Sequence, residues 1–161
     1  MKTLIALLLI GPHAIGSNCD TINPQLRVLK VIEQTLKRNS SPKAVPAKLL
    51  APAIQRLSDA YGVSPHTIMR IVLVESRGIP SAYNKRTNDY GLMQLNGRTM
   101  KAYGITKTCA MNWYCNLEAG IMILSEISDG RTCRYNIGSG KLKAGKLKRC
   151  LVYERRLASI K

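Results

Sequence analysis

The chain has 161 residues, a length that suits one domain, and no Phe, so its core falls to Leu, Ile, Val, Met, Tyr and one Trp. Lys and Arg number 25 against 9 Asp and Glu, a net charge of +16 that attracts polyanions such as nucleic acid, anionic lipid or an acidic cell envelope. With only His13 and His66 present, a histidine-based nucleophilic triad is all but excluded, and no CxxC or Cys/His spacing suggests a metal or cofactor.

Residues 1–16 read as an export signal. Lys2 supplies the charge, Leu4 to Ile10 is an unbroken apolar run, Pro12 breaks it, and Ala14-Ile15-Gly16 places small residues at a cleavage site after Gly16. The run is shorter than the roughly 20 residues a membrane span needs. An uncleaved anchor or a buried N-terminal helix is the alternative. Asn18 stands before Cys19, where a lipidation site wants a small residue. Export, to the periplasm or beyond, makes disulfides chemically allowed and turns the charge toward the envelope, with no specific nucleic acid as partner. Of the five cysteines, the simplest pairing is Cys109–Cys115 and Cys133–Cys150, although sequence leaves connectivity open.

Helical spacing dominates the rest. Ile22, Leu26, Leu29, Ile32 and Leu36 fall near one face, and Asn39 to Pro46 then reads as a linker. Leu49, Ala53, Leu57 and Tyr61 suggest a second amphipathic helix ending at Gly62. Ser64-Pro65 starts a third: Ser is a good N-cap and Pro suits the first helical position. Ile68, Ile71, Val72 and Glu75 share its inward face, with Gly78 as its stop. Residues 79–92 read as a polar loop or small β-hairpin, and another loop holds Tyr103-Gly104. Leu117 to Ile127 is a clear helix with Asn116 as its N-cap. Lys141 to Arg149 carries five basic residues in nine, and Leu151 to Ile160 suggests a terminal helix. The fold class is mainly α in a single domain.

A carboxylate on an apolar helix face is desolvated, which raises its pKa and suits it to donate a proton to a glycosidic oxygen. Periodicity alone equally allows Glu75 to reach water or Arg77. Its context is more specific. Glu75-Ser76, Pro80-Ser81-Ala82, Gly91-Leu92-Met93-Gln94, Asn116-Leu117-x-x-Gly120 and Tyr135-Asn136-Ile137-Gly138 occur in order. This series resembles the soluble lytic transglycosylase (SLT) domain of the lysozyme-like superfamily, over about residues 47 to 140 with fainter similarity to Tyr153.

The resemblance implies a lysozyme-like helical domain with a glycan cleft. It implies Glu75 as catalytic acid and base, and Met93, Gln94, Asn116 and Tyr135 as substrate-side residues, with Tyr135 orienting the carboxylate. Each has a plainer reading: Met93 as core packing, Gln94 as partner of a buried backbone group, Asn116 as a helix cap, Gly91 and Gly138 as tight backbone. Asp89, in Asn88-Asp89-Tyr90-Gly91, is either an assisting carboxylate or a loop-capping residue, the latter favoured by the turn preference of Asp. The chain divides into 1–16 as signal, 17–46 as helical segment and linker, 47–140 as core, and 141–161 as a basic segment with the terminal helix. Peptidoglycan is the implied partner. Lys141–Arg149 could add anionic wall polymers or a membrane surface. A lysozyme-type hydrolase using Glu75 and Asp89, and a non-catalytic cationic wall-binding protein, are the competing readings. A phage lysis protein, a wall-clearing enzyme of a secretion or conjugation apparatus and a wall-remodelling enzyme share this signature.

Overall fold

The computed structural model describes residues 23–127, 132, 133, 135 and 144–161. The signal, His13, Cys19, Asn136 to Gly138 and Lys141 to Lys143 lie outside them. Seven helices are described: α1 (Pro24–Asn39), α2 (Ala47–Tyr61), α3 (Pro65–Ser76), α4 (Gly97–Ala102), α5 (Lys107–Met111), α6 (Trp113–Ile127) and α7 (Ala144–Ala158). Between α3 and α4 lie β1 (Tyr83–Asn84), β2 (Asp89–Tyr90) and β3 (Leu95–Asn96). They form an antiparallel sheet in the order β1-β2-β3, with Tyr83 opposite Tyr90 and Asp89 opposite both Asn84 and Asn96. The mainly helical architecture with a small hairpin is as expected; β3, α4 and α5 are additions too short to show a periodicity.

One core joins α1, α2, α3, α6 and α7. Ile32 and Leu36 of α1, Leu50 and Ile54 of α2, Ile68, Ile71 and Val72 of α3, and Leu117, Ile121 and Leu124 of α6 are fully shielded from solvent. The other side of α6 gives Ala119 and Ile123 to a smaller cluster with Tyr90, Leu95, Met100 and Ala110. In α2 Ala53 and Leu57 are buried as expected, whereas Leu49 is 50% exposed and Leu50 is buried in its place. Gly62 ends α2 as expected, in the left-handed region at φ +66°.

Two boundaries differ from the sequence reading. Helix α6 begins at Trp113, and Asn112 caps it, its Oδ1 accepting from the N–H groups of Tyr114 and Cys115 at 3.1 and 3.0 Å. Asn116 therefore lies inside the helix. The segment after α1, read as a linker, is packed: Val45 is buried, and Ser41 and Val45 donate backbone hydrogen bonds to the Arg77 and Gly78 carbonyls. Both expected disulfides, Cys109–Cys115 and Cys133–Cys150, are present.

Candidate active site

Glu75 sits at the last turn of α3, three and four residues after buried Val72 and Ile71. Its side chain is thereby drawn to the inward face while the helix end leaves it half-buried. The expected stop at Gly78 is shared: Arg77 already takes the left-handed conformation at φ +54°, and Gly78 follows at +79°. The corner is held from both sides. Ser76 Oγ donates to the Val72 carbonyl at 3.2 Å and accepts from Gly78 N–H at 3.1 Å. The packed 40–46 segment takes the next two carbonyls at 2.9 and 3.0 Å. A side chain at Gly78 would press on Ala44, its Cβ 2.9 Å from the Ala44 Cβ.

The motifs around residues 91 and 116 interlock. Asn116 is fully buried; its Oδ1 accepts from Met93 N–H, and its Nδ2 donates to the carbonyls of Tyr90 and Ala110, each at 2.8 Å. Gly91, at φ +74°, lets its backbone lie on that amide; any Cβ would collide with Asn116 Nδ2 and the Ala110 carbonyl. Gly120, one turn beyond Asn116, makes room for the Met93 side chain. Met93 and Asn116, which the resemblance put on the substrate side, have no exposed side-chain surface: Asn116 holds the 91–94 segment from beneath, and the Met93 side chain packs against Gly120. Gln94 is partly exposed at φ +48°, and its Nε2 donates to the carbonyls of Gly91 and Ala82 at 2.9 and 3.3 Å. Its side chain satisfies backbone groups of the loop before it.

Two tyrosines approach the carboxylate. The Tyr135 hydroxyl lies 2.7 Å from the Met93 carbonyl, which can only accept, so the phenol proton goes there. A bond to the carboxylate comes from Tyr153 on α7, whose hydroxyl donates to Glu75 Oε1 at 2.7 Å. Both phenols are held well above their ordinary range, chiefly by burial and then by the negative charge of Glu75. For Tyr135 the charge of Asp89 adds to this, and for Tyr153 the nearby Arg156 opposes it. Both therefore remain proton donors at any working pH.

Tyr153 is brought to α3 by the apolar side of α7, where Cys150, Tyr153 and Leu157 are buried. Arg156 of the same helix donates to the Val74 carbonyl, the residue before Glu75, at 3.0 Å. The Cys133–Cys150 bond joins α7 to the segment carrying Tyr135. Glu154 reinforces this junction, its Oε1 accepting from Thr132 Oγ1 at 2.6 Å and from Cys133 N–H at 2.8 Å. The sequence signals for Tyr153 were the fainter family similarity that reaches it and its place in the expected terminal helix; a buried phenol then needs a partner.

Asp89 is tied into its own hairpin. One carboxylate oxygen accepts from Thr87 Oγ1 and the other from Asn96 Nδ2 at 2.7 Å, and that Asn96 group also donates to the Thr87 carbonyl. Among the described residues no three or more His, Cys, Asp or Glu side chains are gathered as metal ligands.

A mainly helical domain with a small antiparallel sheet and a phenol-bonded carboxylate at the end of a buried helix belongs to the lysozyme-like class. The comparison with known families narrows this. The Transglycosylase SLT domain family matches residues 52–148, more than half of the chain, and the chain belongs to that family. Membership carries a lytic-transglycosylase-like function directed at peptidoglycan. Among curated proteins no significant match is found. The matched range takes in Glu75, Asp89, Asn116 and Tyr135; α1 and Tyr153 lie beyond it.

Proposed function

We propose that this protein is an exported lytic transglycosylase that cleaves the MurNAc-GlcNAc β-1,4 bond, with Glu75 as acid and then base. The observation that carries the reading is the division between two carboxylates: Glu75 is bonded to a buried phenol at a rigid helix end, whereas both oxygens of Asp89 are engaged by its own hairpin. Glu75 in its protonated form gives its proton to the leaving glycosidic oxygen. The substrate's N-acetyl group stabilises the positive charge developing at C1. The Glu75 carboxylate then takes the proton of the muramic C6 hydroxyl as that oxygen attacks C1. The new C1–O6 bond closes a 1,6-anhydro ring, and no water is consumed. Because nucleophile and electrophile belong to one sugar, proximity supplies much of the rate. The two disulfides support an oxidising compartment and hence export.

A second reading has its own support. The Tyr135 phenol feels the charges of both Glu75 and Asp89, so the two carboxylates share a neighbourhood, as a hydrolase would need. Mass spectrometry of muropeptides released from purified peptidoglycan separates the two. Anhydromuramic ends, one water lighter than reducing ends, are expected, with substantial activity retained in Asp89→Asn and none in a folded Glu75→Gln. Reducing ends as the main product would overturn the transglycosylase and leave Glu75 as general acid. Normal turnover by folded Glu75→Gln would remove it from the mechanism altogether and revive the wall-binding reading.

A further inference from the structure

Helix α7 has two unlike sides. Its inner side is packed, with Cys150, Tyr153 and Leu157 buried in the core. Its outer side carries Leu147, Leu151 and Val152, which remain 46%, 50% and 48% exposed. They are three of the eight large apolar side chains left exposed among the described residues, and all three fall within one stretch of this helix. Leu147 and Leu151, one turn apart, share a stripe. Lys148 and Arg155 form the stripe beside it, and Arg149, Val152 and Arg156 lie beyond. Among the described residues the exposed Lys148, Arg149 and Arg155 make no ion pair. The acid of the helix, Glu154, is turned away to Thr132 Oγ1 and Cys133 N–H.

Exposed leucines in a row beside unpaired cations mark a surface that meets something both apolar and negative. A helix lying in the plane of an anionic membrane surface has this pattern. Lys and Arg stems reach the headgroup phosphates while the leucines enter the acyl boundary. No described helix is long and apolar enough to cross a membrane, and the packed inner side holds α7 flat, so the contact is with the surface alone. A hydrated anionic wall polymer gains from the cations but nothing from the leucines. A second copy of the chain brings the same charge of +16 and is repelled. We infer that the outer side of α7 docks the protein onto an anionic lipid surface, with Leu147 and Leu151 inserted and Lys148, Arg149 and Arg155 on headgroup phosphates. The match to the family ends at Lys148, so most of this surface lies beyond it. Docking needs neither Glu75 nor a glycan.

The test is co-sedimentation of the full chain with vesicles of phosphatidylcholine, alone or mixed with phosphatidylglycerol. Each Lys or Arg at an anionic surface raises partitioning about fivefold. Wild-type protein should therefore bind the mixed vesicles about 100-fold more tightly than the neutral ones, and added salt should release it. Lys148→Gln/Arg155→Gln should weaken binding to mixed vesicles about 20-fold. Leu147→Gln/Leu151→Gln keeps every charge and a good helix former, and should weaken it about tenfold. All four side chains are exposed, so both variants should keep the wild-type circular dichroism spectrum. The apolar run Leu4 to Ile10 is present in every variant and cannot produce these differences. Undiminished binding in the leucine variant would overturn the docking, as would equal binding to neutral and mixed vesicles or binding to neither. If the protein binds a soluble polyglycerol phosphate yet sediments with neither vesicle, the partner is a wall polymer and the membrane proposal fails.

Discussion

At the scale of single residues, the feature that governs the site is the Tyr153–Glu75 hydrogen bond. A phenol donating to a carboxylate is a charge-assisted bond, roughly twice as strong as a neutral one. Tyr153→Phe keeps the ring in the core and removes only that donor. Because this bond helps to aim the carboxylate, kcat should fall about 10–100-fold while KM changes little. Unchanged kcat in a folded variant would show that Tyr153 serves packing alone. The same phenol sets a pH limit on stability. Its pKa, like that of Tyr135, is raised in the folded state by burial and by Glu75, whereas in the unfolded chain it returns to an ordinary value near 10. Below that value both states hold the proton and the stabilisation is fully present. Above it the unfolded state loses protons that the folded state keeps, so stability falls as pH rises, by about 1.4 kcal/mol per pH unit for each phenol. Denaturant melts of Tyr153→Phe should lose stability above pH 10 with a shallower slope than wild type; an unaltered slope would contradict this account.

At the scale of elements, the 91–94 segment and α6 behave as one unit. Gly91→Ala is the cleanest test, because the substitution meets a positive φ and two fixed polar groups at once. The left-handed conformation costs a non-glycine residue about 1–3 kcal/mol, and overpacking costs a similar amount, so a total loss of about 3–5 kcal/mol is expected in chemical denaturation. A loss below about 1 kcal/mol would mean that the Asn116 latch yields easily. This unit was legible in the sequence as ordered motifs, since glycine and asparagine are demanded there by backbone geometry that no other residues supply. Their purpose was less legible. The resemblance implied Asn116 and Met93 as substrate-side residues, beside plainer readings as helix cap and core packing, and three hydrogen bonds draw the amide beneath the surface. The 40–46 segment read as a tether because Ser and Pro are common to tethers and to packed turns alike. Only its contacts with the end of α3 distinguish the two. Tyr153 was out of reach for a different reason: its partner lies 78 positions away, and periodicity reports which face is buried, never what it meets.

At the scale of the whole molecule, the end of α3 that carries Glu75 is surrounded by parts from distant stretches of chain, and a disulfide joins two of them. Cys133 lies two residues before Tyr135, and Cys150 lies three before Tyr153. Their bond therefore fixes the segment that supports the Met93 carbonyl to the helix that supports Glu75. The other bond, Cys109–Cys115, closes a turn between α5 and α6 and holds neither tyrosine. Loop entropy ranks the two modestly. A separation of 17 residues corresponds to about 3 kcal/mol and one of 6 to about 2 kcal/mol of stabilisation, so removing either should lower the melting temperature by comparable amounts. Their effects on turnover should differ far more. Cys133→Ser/Cys150→Ser frees α7 to shift relative to Tyr135, and kcat should fall about 10-fold or more even at temperatures where the variant is fully folded. Cys109→Ser/Cys115→Ser should keep kcat within about twofold under the same conditions. The comparison is made well below both melting transitions, with folding checked by circular dichroism, so that lost stability does not pass for lost activity. Equal kcat in the two folded double variants would show that the Glu154 bonds to Thr132 and Cys133 hold the junction without the disulfide. The enzyme would then keep full activity in a reducing compartment, and the disulfide would bear on stability alone.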